Sequence, residues 1–258
     1  MRSIEEVHRV QALIRQGLND CEISRRTGIP RGTVRDWRHG KAPRRGVRGS
    51  RVPPEDTCSK CGHPQHDFVG LPQRTYAYLL GLYLGDGTIS RARRGVFKLR
   101  VVLDAKYPRV IDECGAAMTA VCPSSTVNRI ERVGCIEVYS YSKIWPCLFP
   151  QHGPGMKHTR SIWLAGWQKA IADEAARGLL RGLIHSDGCR VTNRVTVNGK
   201  EYRYPRYFFC NHSADIREIF CRYCQTLGIE WRSDGWKNIS IARRESVALL
   251  DRFVGPKR

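Results

Sequence analysis

Two aspartates, Asp86 and Asp187, occupy the same position in two copies of one heptad, G-L-x-x-x-D-G. The copies are Gly81-Leu82-Tyr83-Leu84-Gly85-Asp86-Gly87 and Gly182-Leu183-Ile184-His185-Ser186-Asp187-Gly188. Roughly 100 residues separate them, the spacing of a repeated domain rather than of local low complexity. Each copy ends an apolar run, and small residues four apart (Gly81 and Gly85, Gly182 and Ser186) give each predicted helix one smooth face. Two such helices can pack backbone to backbone, as small-x-x-x-small pairs do elsewhere. That packing brings Asp86 and Asp187 together at one helix end, where they repel unless a cation lies between them. Carboxylate oxygens beside a phosphate suit Mg²⁺. One copy alone reads as a buried helix that stops at an Asp-Gly turn. The matched pair does not, because a core helix has no need to repeat Gly, Asp and Gly at identical offsets.

The elements that must position these aspartates are legible around them. After Asp86 the pattern predicts strands over 96–103 and 135–141 with a helix over 110–120 between them. After Asp187 it predicts strands over 191–197, 202–210 and 238–241, with a helix over 215–227 capped near Ser213. Strands after a helix, twice, imply an α+β fold with pseudo-twofold symmetry and two sheets side by side. Arg91, Arg93, Arg94, Lys98 and Arg100 in the first half, and Arg190, Arg194, Arg203 and Arg206 in the second, are expected to charge those sheets. A pair of basic sheets flanking two carboxylates forms a saddle for duplex DNA, its strands able to read the major groove.

The 258 residues carry 44 Lys and Arg against 24 Asp and Glu, a formal net charge of +20. A polyanion is therefore the first partner to consider. The longest apolar run, Tyr76 to Leu84, is far shorter than the roughly 20 residues that span a bilayer. The charged start has no signal-peptide character, and eleven irregularly spaced cysteines fit reduced thiols, so an intracellular, DNA-associated protein is expected.

Residues 1–42 read as three short helices. Ile4, Val7, Val10, Leu13 and Ile14 recur at helical spacing, Asp20 can cap a second helix, and Gly28-Ile29-Pro30 breaks it. The third helix places Val34 and Trp37 inward and leaves Arg31, Arg35 and Arg38 free to point outward. These are the parts of a helix-turn-helix, and the segment resembles trihelical, resolvase-like or homeodomain-like DNA-binding modules. A generic three-helix cap with a solvated basic face is the plainer alternative. Residues 43–57 are a basic linker, since from Arg31 to Arg51 eight Lys or Arg face one acid, Asp36.

Cys58-x-x-Cys61-Gly-His63-Pro-Gln-His66 follows, over 58–70, and has the turn of a zinc knuckle, because tetrahedral Zn²⁺ needs two thiolates on a tight turn. His66 is the better third ligand and His63 the alternative, with no fourth ligand visible. Cys221 and Cys224 lie in a predicted helix and read as core residues.

With these motifs in hand, residues from about 71 to 258 resemble a two-repeat LAGLIDADG homing endonuclease, Leu79 to Gly87 and Leu180 to Gly188 being its two signature helices. The resemblance implies αββαββα in each half, over 71–168 and 169–258, with Mg²⁺ held by Asp86 and Asp187. It also implies a basic residue after the first half's last strand, a position Lys157 occupies, to polarise attacking water or stabilise the pentacovalent phosphate. A phosphate-contacting surface lysine is the plainer reading of Lys157. The implied activity is site-specific cleavage of double-stranded DNA by a monomer whose pseudo-dyad supplies both half-sites. The first-half strand offers no polar residue to position water, and Lys257 is the second-half candidate matching Lys157. A DNA-binding regulator on a catalytically silent core is the rival function, since sporulation regulators combine similar domains; an RNA-splicing maturase is a third.

Overall fold

In the computed structural model, which describes residues 4–40, 58–62, 66–255 and 257, the first three helices are α1 (Ile4–Arg15), α2 (Asp20–Thr27) and α3 (Arg31–Arg38). Asn19, not Asp20, caps α2. Its Oδ1 accepts from the backbone N–H groups of Cys21 and Glu22, each at 3.0 Å, while the Glu22 carboxylate accepts the Asn19 N–H. This reciprocal box satisfies donors that a helix start leaves orphaned, and Asp20 contributes charge as the first helical residue. Val10, Ile23, Ile29, Val34 and Trp37 form a separate small core. The 43–57 linker lies outside the described residues, and the chain divides between Asp56 and Thr57 into two units.

The second unit holds α4 (Gln73–Asp86), β1 (Gly87–Arg91), β2 (Phe97–Asp104), α5 (Pro108–Val121), β3 (Val127–Arg132), β4 (Cys135–Ser142), α6 (Trp145–Leu148) and α7 (Gly166–Glu174). The pattern then repeats as α8 (Ala176–Asp187), β5 (Gly188–Val197), β6 (Lys200–Cys210), α9 (Ala214–Thr226), β7 (Arg232–Ser233), β8 (Asn238–Ile241) and α10 (Arg244–Asp251). Both sheets are four-stranded and antiparallel with the same order, β1-β2-β4-β3 and β5-β6-β8-β7. The expected pseudo-twofold α+β architecture is therefore present. The sequence pattern missed β1, β3 and β7, which are short or lack an apolar alternation; β3 has no buried residue and is held by its pairing to β4.

Every residue from Tyr76 to Leu84 in α4 is buried. A helix apolar all round belongs inside a core, and what surrounds α4 on one side is α8. The glycines decide how close the two come. A Cβ on Gly81 would lie 2.7 Å from the Leu183 nitrogen and 2.8 Å from the Gly182 Cα; one on Gly182 would lie 2.9 Å from both the Gly81 Cα and the Leu82 nitrogen. The helices thus touch main chain to main chain. The last glycine of each heptad has a different job: a Cβ on Gly87 or Gly188 would meet the Tyr83 carbonyl oxygen or the Ile184 Cα at 2.8 Å, so only glycine lets the chain double back from helix into strand. The buried alternation of Leu99, Val101 and Leu103 on β2, and of Tyr207 and Phe209 on β6, turns one face of each sheet toward this core.

Substituting Ala for Gly182 forces the helices apart, because the clashing atoms are backbone. Gly182→Ala is expected to lower the melting temperature on the order of 10 °C, the cost of overpacking a closed interface. Gly166→Ala, at the start of α7 with nothing within 4 Å of the added carbon, is the control and should be nearly neutral in the same thermal melt.

Candidate active site and nucleic-acid face

The close crossing of α4 and α8 sets Asp86 and Asp187 beside one another. A Cβ on Gly85 would lie 2.8 Å from Asp187 Oδ2, so the second carboxylate reaches across to the end of the first helix. Burial pushes the Asp86 carboxyl up to about 6, Asp187 adds to the rise, and Lys157 and Lys257 oppose it. Asp187 is raised too, by burial first, against the hydrogen bond from Asn211 and the charges of Lys157, Lys257 and His212.

Both lysines are built in by helix ends. Lys157 Nζ donates to the carbonyls of Tyr83 (2.5 Å), Leu84 (2.8 Å) and Gly85 (2.5 Å) in the last turn of α4, where helix carbonyls run out of internal partners; the Tyr83 carbonyl also accepts the Gly87 N–H. Lys257 Nζ stands at the corresponding junction of α8 with β5, donating to Gly188 at the start of the strand (2.8 Å) and to Ser186 in the helix's last turn (3.3 Å). Burial lowers Lys157 to about 8 against the pull of Asp187 and Asp86, and lowers Lys257 as well. The correspondence expected of Lys257 is thus geometric: each lysine follows the short helix after its half's last strand, α6 or α10, and caps its half's signature helix. The approach to Lys257 is held in turn by Val254, whose carbonyl accepts from Arg181 Nε at 3.2 Å and from buried His185 Nε2 at 3.0 Å.

Two cavities open beside the aspartates. One, of about 450 Å³, is lined by Asp187, Lys157, His158, Arg160, Asn211 and His212. The other, of about 280 Å³, is lined by Asp86, Leu103, Asp104, Lys106 and Lys257. Each has room for several waters, at roughly 30 Å³ apiece. A larger cavity, of about 780 Å³, lies around Arg74, Glu113, Asp173, Glu174 and Arg181; Glu113 there is held by Arg181 at 2.6 Å and Asp173 accepts the Tyr223 hydroxyl at 3.0 Å, and neither Asp86 nor Asp187 lines it.

The two small cavities are unequal for one reason. Asn211 Nδ2 donates to Asp187 Oδ2 at 2.6 Å, and its Oδ1 accepts the Ser213 N–H at 2.7 Å, which fixes the amide orientation. Gly188 pairs with Phe209 and Gly87 pairs with Val101, so two residues further along stand Asn211 in one half and Leu103 in the other. The first half lacks a polar group there, as its sequence indicated. Asn211 itself was missed, because the longer β5–β6 hairpin displaces it relative to its Asp-Gly and only the register restores the match.

The basic residues divide by strand parity. Lys98 and Arg100 lie on the face of β2 turned away from the helices, and Arg206 on the matching face of β6. Lys98 is bonded there to Glu137 at 2.5 Å and lies 4.0 Å from the Tyr139 ring centroid. Arg190, Arg194 and Arg203 alternate onto the opposite face, with Tyr207 and Phe209; Arg190 is held by Asp251 at 2.8 Å and Arg203 by Glu201 at 2.6 Å. The expectation that all four second-half arginines line the saddle is corrected to Arg206 alone. Arg91 shares parity with buried Ile89, and Arg93 is exposed in the β1–β2 connection. The saddle face of the second hairpin instead carries exposed Val191, Val195, Tyr202 and Tyr204. In the first unit Arg31 and Arg35 are exposed, but Arg38 does not point freely outward: it donates to Asp20 Oδ1 (2.7 Å) and the Leu18 carbonyl (2.6 Å), tying α3 to the start of α2. Of the cysteine turn, Cys58, Cys61 and His66 converge and are joined by Cys147 of α6, while His63 lies outside the described residues. Cys221 and Cys224 are buried in α9.

No family model matches the chain, and neither does any curated protein. Solved structures similar to it include I-DmoI in complex with DNA and Mn (15% identity, 71% of this chain and 98% of that one, TM-score 0.46). They also include the N-terminal LAGLIDADG domain of DUF199/WhiA (12%, 74% and 87%, 0.44) and a mutant of I-SmaMI (8%, 70% and 84%, 0.45). Two sheets of like strand order, joined by helices that cross at glycine and end side by side in aspartate, make the fold from Gln73 to Val254 that of a two-repeat LAGLIDADG protein.

Proposed function

We propose that the chain is a site-specific endonuclease of double-stranded DNA, and the observation that carries this reading is the pairing of Asp86 and Asp187 between two oppositely placed lysines. Side-by-side carboxylates withdrawn from solvent destabilise the fold when both are ionised, and a divalent cation reverses that cost. The donor set suits Mg²⁺: two carboxylates opening onto polar cavities with room for water. When bound, Mg²⁺ supplies charge to the scissile phosphate and acidifies the attacking water. The chain's own residues supply the rest. Lys157 and Lys257 hold fixed positive charge beside the aspartates. With its protons engaged by three carbonyls, Lys157 acts through that charge on the phosphate rather than by moving a proton. Asn211 holds one Asp187 oxygen in place.

In this reading residues 1–42 are a helix-turn-helix that presents Arg31 and Arg35 to the DNA, with Arg38 as its internal brace, and 43–57 are a basic linker. Residues 58–70 form a metal knuckle, and the repeats span 71–168 and 169–258. Lys98, Arg100 and Arg206 meet the duplex from the sheets, Arg91 and Arg93 lie at the margin of the first, and the exposed Val and Tyr side chains of β5 and β6 suit thymine methyls and sugar edges. A monomer suffices, both half-sites being in one chain. The rival reading, a DNA-binding regulator on a silent core, is favoured by Leu103 standing where the other half has Asn211.

The deciding experiment is cleavage of a random-sequence duplex library with Mg²⁺ or with EDTA. One consensus cut that requires Mg²⁺ is expected. Asp187→Asn should lower cleavage at least ~100-fold, the scale of losing a group that acts in the transition state, and change DNA affinity by less than about 3-fold. Equal loss of both sinks the assignment, and enrichment by binding with no ends under either condition selects the regulator.

A second prediction concerns metal-free protein. An Asp whose folded value is raised from 3.8 to about 6 contributes stability that is fully present below pH 3.8 and lost as the pH rises through 6. The loss is about 3 kcal/mol at most. Asp86→Asn should therefore stabilise the metal-free protein at pH 7.5 but not at pH 4, and Mg²⁺ should raise the wild-type melting point at pH 7.5 more than the variant's. Denaturant titrations at both pH values, unchanged by the substitution, would count against an ionised pair.

A further inference from the structure

Outside the aspartate site, and among the described residues, the gathering of soft ligand atoms that could hold a metal ion is the one that Cys147 completes. The sulfurs of Cys58, Cys61 and Cys147 and a His66 ring nitrogen all lie within 4.8 Å of one another. Cys58 Sγ stands 3.7 Å from Cys147 Sγ, and Cys61 Sγ stands 3.4 Å from His66 Nε2. Around a tetrahedral Zn²⁺, ligands at about 2.3 Å (S) and 2.05 Å (N) stand roughly 3.8 Å apart for two sulfurs and roughly 3.6 Å for sulfur and nitrogen. The Cys58–Cys147 and Cys61–His66 separations agree with those values, and the two sulfurs stand far beyond the roughly 2.05 Å of a disulfide.

The local backbone agrees. Gly62, at φ +70°, donates its N–H to the Cys58 carbonyl at 2.8 Å, closing a tight turn that holds the first two thiols on one side. Cys61 and Cys147 are buried, and the chain beyond His66 is anchored by Phe68, stacked on Trp167 at 3.9 Å. Cys147 comes from α6, whose Leu148 carbonyl accepts the Tyr76 hydroxyl of α4 at 2.6 Å. From α6 the chain runs on through Gln151, which binds both the Trp163 carbonyl and Gln168, to Lys157.

We infer that Cys58, Cys61, His66 and Cys147 form a structural Zn²⁺ site, with Cys147 the fourth ligand that no local spacing could reveal. Three thiols and an imidazole select Zn²⁺ over the hard cations that carboxylates bind, and four protein ligands leave no open position for chemistry. Binding displaces the thiol protons to solvent. The ion cross-links Cys58, Cys61 and His66 to α6, closing a loop that contains α4, the first sheet and α5. It thereby fixes the base of the segment that delivers Lys157. Nothing in this assignment depends on the nuclease reading, and its test involves no DNA.

Full-length protein purified without chelators should carry about one Zn²⁺ per chain by elemental analysis. After exchange, Co²⁺ should give tetrahedral d–d bands with thiolate charge transfer. Cys147→Ser should weaken Co²⁺ binding at least tenfold and alter the spectrum, Cys147→His should retain binding, and Cys221→Ser should match wild type. Cys147→Ser binding as tightly as Cys221→Ser overturns the fourth ligand, and a Cys58–Cys147 disulfide found by mass spectrometry overturns the site. Should the variants not fold, alkylation of wild type decides. Cys58, Cys61 and Cys147 must be protected until chelator is added, and equal labelling with and without chelator refutes the proposal.

Discussion

Main-chain contact between α4 and α8 is the constraint on which the rest of this structure hangs. Glycine at positions 81 and 182 lets two helices approach more closely than any side chain allows, and dispersion between backbone atoms replaces the side-chain interdigitation that usually spaces helices 8–10 Å apart. The two sheets then have a single rigid spine to pack against, and their equal strand orders follow from each half folding back on its own helix through Gly87 or Gly188. The same closeness leaves Asp86 and Asp187 no way to avoid one another.

What makes that arrangement tolerable is a pair of lysines recruited by a different need. The last carbonyls of each helix lack intrahelical partners and carry the negative end of the helix dipole. An ammonium reaches them, at α4 through Lys157 and at α8 through Lys257, which donates to Ser186 in the helix and to Gly188 just beyond it. Positive charge is therefore held next to the aspartates by backbone carbonyls rather than by direct ion pairing, and, apart from Asn211's bond to Asp187 Oδ2, the carboxylates stay open to an incoming ion. Their elevated proton affinity comes chiefly from burial, with the charge of Asp187 adding to it at Asp86, and it persists although both lysines oppose it.

Much of this was legible in the sequence because it is written in local offsets. The repeated heptad specified both helices, their contact and the position of the acids, and alternation located β2, β4, β6 and β8. What escaped depends on partners distant in sequence. Arg38 and Arg190 look like free surface charge until Asp20 and Asp251 are seen beside them. Asn211 is hidden by unequal hairpin lengths, and Cys147 is one thiol among eleven until the fold brings it to Cys58. β3, lacking any buried residue, exists because β4 offers it a ladder.

The unequal hairpins carry one more consequence. β8 pairs only with Tyr207–Cys210 of β6, so from Val191 to Arg206 the β5–β6 ribbon has two strands and no third, with residues exposed on both faces. A two-stranded ribbon without a core beneath it is marginal in water. Its amides should exchange with solvent through local opening at a small fraction of the global unfolding free energy, in contrast to the short, fully backed β1–β2 hairpin. The second unit is thus symmetric in topology but not in stiffness: one arm is preformed, and the other draws its order from whatever surface comes to cover Val191, Val195, Tyr202 and Tyr204.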